Sequence, residues 1–313
     1  MNPMTPHSGI TPLQQKFHLK TDVLMAAHTR LKVGGPADLL AQPGTRQELI
    51  NLLAAARDAS VPVTILGGGC NLLVSDQGIR GLVVVTTHLK SGIQISKQSG
   101  THVHLSMEAG QQLSTVCKYA VNQGLTGLEF CAGIPGTVGG AVMMNAGTAD
   151  QGIGSRIHSL EVLDLNTLGI HTLKKDALTF SYRRLHLDNH MILGITLALS
   201  PGDPAGIKQR YEEILLRKQR TQPMDLPSAG CFFKNPDPDR PAGKLIEEAG
   251  LKGKTIHDAQ VSLVHANYIV NLGHATCRDI LALKEHIQQE VLDRYNIVLE
   301  TEVITTGDGM KNE

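Results

Sequence analysis

The sequence predicts an α/β protein of three successive segments, the last a separate lobe. Three observations carry this. A chain of 313 residues is long for one hydrophobic core. Apolar residues recur at helical spacing in some stretches and form β-branched or alternating runs in others. Gly and Pro punctuate the changes from one pattern to the next, most strongly at Pro201-Gly202-Asp203-Pro204.

The first segment, residues 21–88, follows an N-terminal extension over 1–20 that is expected to be loose. Thr45 and Glu48 form a T-x-x-E capping box, and Leu49, Leu52, Leu53 and Ala56 repeat at helical spacing until Val61-Pro62. Strands are expected at 63–66, 72–74 and 82–87. The second segment, 89–201, opens with His102-Val103-His104-Leu105. It continues in a helix whose apolar face is Leu113, Val116, Cys117, Ala120 and Val121, stopped by Gly124. Strands at 157–165 and 170–173 flank an N-T-L-G turn, and another spans 191–199. The third segment, 205–306, reads as helices near 206–219, 243–249 and 277–294 with strands at 267–271 and 297–304, and 307–313 is a tail.

Composition excludes several classes. Lys plus Arg equals Asp plus Glu at 29 each, with no basic block, so no nucleic-acid partner is expected. No apolar run approaches the roughly 20 residues of a membrane span, and the first twenty residues lack a signal-peptide apolar stretch, so a cytoplasmic protein is expected. The cysteines 70, 117, 131, 231 and 277 are odd in number and contain no C-x-x-C, which points to reduced thiols and no metal. His102 and His104 share a strand face without other ligands nearby and read as an exposed polar face.

Two glycine clusters stand out. In "ILGGGCNLLVSD" (65–76) three glycines follow an apolar strand, which lets main-chain N–H groups approach an anion, although a tight turn explains the same residues. The stretch fits neither G-x-G-x-x-G nor a Walker loop. In "CAGIPGTVGGAVMMNAG" (131–147) a second cluster, harder to explain as a turn, would let main chain touch an extended, flat or doubly phosphorylated ligand, although a pair of irregular surface loops explains the same residues. "TFSYRRLH" (179–186) offers a guanidinium fork to a carboxylate or, equally, a solvated strand end. On the final strand Glu300 and Glu302 share a face, and "SAGCFFKNP" (228–236) sets a thiol between glycine and two phenylalanines.

Taken in order, G-G-G-x-N-L-L, G-I-P-G-T-V-G-G-A, Y-R, G-x-F-F-K-N-P, H-A-N-Y-I-V-N and L-E-x-E-V resemble the UDP-N-acetylenolpyruvoylglucosamine reductase (MurB) family across about residues 20–306. The resemblance implies a two-subdomain vanillyl-alcohol-oxidase-type (PCMH) FAD-binding fold plus a C-terminal α/β substrate-binding domain. It implies reduction of UDP-N-acetylglucosamine enolpyruvate to UDP-N-acetylmuramate, with bound FAD and NADPH as reductant; separately, a monomer is expected. Gly67, Gly68, Gly69, Cys70, Asn71 and Leu72 are thereby expected at the FAD pyrophosphate. Gly133, Ile134, Pro135, Gly136, Thr137, Gly139 and Gly140, with Asn145, Ala146 and Gly147, are expected beside flavin and phosphates. Tyr182, Arg220, Lys234 and Asn235 are expected at the substrate.

Three residues take catalytic expectations from the same motifs. Arg183 stabilises negative charge at the substrate carboxylate, Glu302 is protonated or water-bridged during the step, and Cys231 stands where the family typically has its proton-donating serine. A thiol, with an ordinary pKa of about 8.5, is a competent donor near neutral pH. The chain departs from the pattern at Cys70, usually serine, and at Thr148-Ala149-Asp150, where an aromatic-glycine pair is usual. The short stretch between Arg183 and Cys231 resembles the subtype without the tyrosine-bearing loop. A flavin oxidase with another substrate and a non-catalytic flavin- or sugar-nucleotide-binding protein stand as alternatives.

Overall fold

The capping box forms as its residues dictate. The Thr45 hydroxyl accepts from the Glu48 N–H at 3.2 Å and Glu48 Oε2 accepts from the Thr45 N–H at 3.3 Å, opening a helix over Arg46–Asp58 that buries Leu49, Leu52, Leu53 and Ala56. The computed structural model describes residues 9–99, 101–148, 151–237 and 239–310. Its chain builds two compact units by interleaving: one comprises 1–19, 40–68 and 82–218, the other 20–39, 69–81 and 219–313. The linear boundaries expected near 88 and 201–205 are therefore not the boundaries of these units.

The first unit is organised by an antiparallel sheet in which Ile170–Lys174, Ile157–Asp164, His190–Pro201, His102–Glu108 and Gln94–Ser99 are neighbours in that order. A parallel pair, 63–66 with 82–85, lies elsewhere in the unit. The helix Leu113–Asn122 buries Leu113, Val116, Cys117 and Ala120 into one core with Leu105, Leu160, Val162, Ile195 and Leu197. Arg46 bridges Glu108 at 3.1 Å and Glu161 at 2.9 Å, tying the capped helix to this sheet. His104 stacks on His158 with ring centroids 4.0 Å apart. The extension expected to be loose instead contains a helix, Ile10–Phe17, with Leu13 buried, because Ile10, Leu13 and Phe17 repeat at helical spacing. Residues 1–8 lie outside the described set.

Glu129 anchors a turn of this unit. Burial works against its charge, yet the Thr126 hydroxyl, the Gly127 N–H and Arg210 (3.0 Å) donate to it and hold its carboxyl below the usual range. A depressed folded pKa contributes stability that is complete above the unfolded value and disappears as pH falls through the folded one. Glu129→Gln is therefore expected to lower stability by about 2 kcal/mol at pH 7, and the gap from wild type to begin narrowing at about pH 4.3 and to close as pH falls through the lower folded value. Urea unfolding of both proteins across pH checks this; a gap independent of pH would contradict it.

The second unit holds an antiparallel sheet in the order Ser228–Cys231, Tyr268–Asn271, Ala259–Val261, Thr255–Ile256, packed with the helices Ala242–Glu248 and Cys277–Tyr295. Thr276 caps the long helix through a second capping box, and Asp76 adds its carboxylate to the Cys277 and Arg278 N–H groups at 2.7 and 3.0 Å. The strand expected at 297–304 is displaced to Ile304–Thr306, where it pairs in parallel with Leu72–Val74. Alternation at 298–302 suggests a strand, but Val298 is 69% exposed and the main chain around Glu300 and Glu302 bonds to residues 232 and 234 instead. Among the described residues no helix is long and apolar enough to cross a membrane, and no cluster of three His, Cys, Asp or Glu side chains suits a metal ion.

Candidate active site

The first glycine cluster contributes to both units, Gly67 and Gly68 to the first and Gly69 through Leu72 to the second. Gly69 has φ +60°, and a Cβ there would lie 2.0 Å from the His28 carbonyl oxygen, so only glycine fits. Its own carbonyl accepts from the Arg30 N–H at 2.9 Å. Burial pushes the neighbouring Cys70 thiol up, with Arg30 acting in the opposite direction. Asn71 does more than the sequence suggests. Its Nδ2 donates to the Glu302 carbonyl at 2.9 Å, and its own carbonyl accepts from the Ile304 N–H at 3.0 Å. This expected cofactor loop thereby fixes the main chain of the expected catalytic glutamate.

In the first unit a Cβ on Gly67 would fall 2.6 Å from Thr137 Oγ1, and one on Gly139 would fall 2.8 Å from the Ala109 Cβ. Gly133 and Gly136 have φ of +75° and +101°. Close approach of protein atoms requires glycine at 67, 69 and 139, and left-handed backbone favours it at 133 and 136; two runs so poor in side chains, with Ile134, Pro135 and Thr137 between, leave little to obstruct a pyrophosphate or a flat ring. On this ground the residues fit FAD. The N–H groups of Val138 and Gly139 are committed to Gln111 and Ala109 carbonyls, and that of Gly140 to Thr137 Oγ1. Lys218 donates to the Ala132 carbonyl at 2.6 Å and covers Gly133, its pKa lowered by burial.

The end of this stretch supports Arg183. Asn145, itself at φ +40°, donates to the Ser181 carbonyl at 2.9 Å and accepts from the Gly154 N–H at 3.0 Å, and the Gly147 carbonyl accepts from Arg183 Nη1 at 3.1 Å. Tyr182 and Arg183 form the tip of a hairpin between Thr179–Ser181 and Arg184–His186, with Arg183 at φ +58° and its guanidinium 5.1 Å from the Tyr182 ring. A non-glycine residue in left-handed backbone is uncommon and marks a tip held by its surroundings. Ala146 lies in the same loop, and Ala149 and Asp150 fall outside the described residues.

The stretch 231–234 is held from two directions within the second unit. Asn267, only 3% exposed, accepts the Phe233 N–H on Oδ1 at 2.9 Å and donates from Nδ2 to the Phe233 carbonyl at 2.8 Å; its own carbonyl takes the Phe232 N–H at 2.7 Å. On the other side Glu302 N–H donates to the Phe232 carbonyl at 2.9 Å and Lys234 N–H to the Glu300 carbonyl at 2.8 Å. Phe232 and Phe233 are buried in the core, so the chain on either side of them cannot shift without opening it. Cys231 itself is half-buried. It lines a cleft of about 600 Å³ with Arg220, Asn235, Lys244, His265 and Asn267.

Two expected substrate residues therefore face one cleft with the expected donor, and a third does something else. Lys234 pairs with Glu300 at 3.1 Å. Asn235 commits its Oδ1 to the Ala242 N–H at 3.1 Å, opening the helix that forms one cleft wall. Sequence reasoning missed Asn267, although it stands in the H-A-N-Y-I-V-N stretch. A buried asparagine beside an apolar run is the only signal it leaves.

Residues 37–170 match a family described as an FAD binding domain, and residues 222–306 match the C-terminal domain of UDP-N-acetylenolpyruvoylglucosamine reductase. A protein of that name from Desulfosudis oleivorans is 43% identical over 297 residues, covering 92% of this chain and 95% of its own. The chain belongs to the UDP-N-acetylenolpyruvoylglucosamine reductase family. A Caldanaerobacter subterraneus relative of the same name is 44% identical over 286 residues, covering 91% of this chain and 92% of its own. The crystal structure of a MurB from Thermus caldophilus superposes with a TM-score of 0.78 at 35% identity, covering 92% of this chain and 99% of its own. The fold class is accordingly the FAD-binding PCMH fold with the MurB C-terminal domain. Within the MurB family frame, Cys231 occupies the strand end that opens on the cleft.

Proposed function

We infer that the protein is an NADPH-dependent flavoenzyme that reduces UDP-N-acetylglucosamine enolpyruvate to UDP-N-acetylmuramate in peptidoglycan precursor synthesis. The observation that carries this reading is Cys231, in G-C-F-F-K-N-P, lining a cleft with Arg220 and Asn235 in a chain of this reductase family. The two glycine runs would hold FAD, which would supply a hydride to the terminal carbon of the enol ether. Negative charge then builds on the adjacent carbon and its carboxylate. Arg183 stabilises it, since a preorganised cation acts most strongly where charge develops. Cys231 protonates that carbon, and Arg220 and Asn235 orient the nucleotide diphosphate. Glu302 serves as a protonated or water-bridged neighbour of the carboxylate.

The five cysteines are not joined in disulfides, which suits the reducing cytoplasm proposed as its location. The purified protein is expected to carry a yellow flavin spectrum and to oxidise NADPH rapidly only when the enolpyruvyl sugar nucleotide is present. Oxidation by oxygen irrespective of that substrate would point to a flavin oxidase. Flavin without substrate-dependent turnover would point to a binding protein.

A further inference from the structure

We propose that Tyr268 is a positioning residue for the Cys231 thiol, holding Sγ at the cleft and stabilising the thiolate left once its proton has gone. The proposal rests on the reading of Cys231 as proton donor. Cys231 and Tyr268 are register partners on the antiparallel strands Ser228–Cys231 and Tyr268–Asn271. Directly opposed residues of such a pair project from the same face with Cβ atoms about 5 Å apart. Register thus sets the Tyr268 phenol beside the Cys231 thiol, within hydrogen-bonding reach of it.

The phenol is fixed while the thiol is reachable. Tyr268 is 8% exposed, its N–H donates to the His265 carbonyl at 3.0 Å, its carbonyl accepts from the Ser262 N–H at 2.9 Å, and its ring meets the edge of His265 at 5.0 Å. Burial above all, and then the adjacent Cys231 sulfur, push the phenol above its ordinary value; Glu302 adds to this and Arg30 opposes it. Tyr268 thus stays protonated, and able to donate, throughout the range in which a thiol titrates. Burial lowers the pKa of His265, with Lys252 acting in the same direction and Glu247 against it, and Arg30 and Glu302 are charged groups beside the phenol. Arg220, Lys244, Glu247 and Glu248 line the cleft onto which the thiol opens.

The proton step balances without a further reagent. The Sγ–H bond breaks, a C–H bond forms on the substrate carbon beside the carboxylate, and sulfur keeps the electron pair as thiolate. That thiolate accepts the Tyr268 O–H, a charge-assisted bond stronger than the one made to the neutral thiol, and solvent in the cleft restores the proton. A donor that favours the charged form lowers the thiol pKa and so makes Cys231 a better acid at neutral pH.

The test is the pH dependence of Cys231 alkylation by iodoacetamide in the flavin-loaded protein, quantified on the Cys231 peptide by mass spectrometry so that Cys70 does not interfere. Tyr268→Phe removes one oxygen and is expected to raise the midpoint by about one pH unit and to move the acid-side profile of kcat/KM with it. An unchanged midpoint overturns the proposal. A second measurement compares the loss of turnover on Tyr268→Phe in the Cys231 and Cys231→Ser backgrounds. A smaller loss with serine supports a role exerted through the thiolate, and an equal loss overturns it. If Cys231→Ala keeps full turnover while Tyr268→Phe still moves the alkylation midpoint, the donor reading fails and the Tyr268–Cys231 coupling is upheld. If Cys231→Ala is inactive and the midpoint does not move, the donor reading stands and this proposal falls.

Discussion

Cys231→Ala is expected to lose turnover by on the order of 10²- to 10⁴-fold, the usual worth of a positioned general acid, while NADPH still reduces the bound flavin. The half-reactions separate because, in the proposed mechanism, the thiol acts only after hydride has reached the substrate. Cys231→Ser should retain substantial turnover, since a hydroxyl occupies the same strand end and suits the same geometry. It should also lose the sensitivity to alkylating agents that an accessible thiol confers, whereas the buried thiols of Cys117 and Cys131 stay unreactive. The Cys117 thiol, through a hydrogen bond, and then burial raise Cys131 well above the usual range, so the contrast among the five cysteines is one of environment. Stopped-flow absorbance of the flavin resolves the two half-reactions. Full turnover in the alanine variant would remove Cys231 from the chemistry.

The largest structural effect is expected at Asn267. Its side chain satisfies both the N–H and the C=O of buried Phe233, so Asn267→Leu leaves two main-chain groups without partners inside the core. Each such orphan costs about 1–3 kcal/mol, which places the loss at about 3 kcal/mol or more of unfolding free energy. The same change releases the chain beside Cys231, so KM for the sugar nucleotide should rise. Denaturant unfolding with an unchanged m-value, together with steady-state kinetics, would establish both. A stability within about 0.5 kcal/mol of wild type would show that the Phe233 groups find other partners.

Local elements are legible in this sequence because their causes are local. The helix from Arg46 carries its own capping box, and that from Leu113 its own apolar stripe and a following glycine with φ +63° at Gly124. The interleaving of the units is not legible, because it depends on pairings such as Leu72 with Ile304, far apart in the chain and set by register. The expected strand at 297–304 fails for the same reason: alternation describes a face, whereas the partners of Glu300 and Glu302 are the irregular chain at 232–234. At the site, the ordered motifs single out Cys231, whereas Asn267 and Tyr268, though inside H-A-N-Y-I-V-N, show what they do only once that stretch lies against 228–233. Lys234 shows the converse, a lysine in a motif whose ammonium the fold gives to Glu300.

Asn71 turns the loop at 69–74 and the segment at 302–306 into one mechanical element. Two hydrogen bonds and a parallel strand pair join them, so neither can loosen without the other. A ligand that orders the loop must also order the glutamate, and by reciprocity whatever holds the glutamate favours the ligand. Trimming the chain back past Ile304 would remove the strand pair and the N–H that holds the Asn71 carbonyl, releasing the loop at 71–74 from that side.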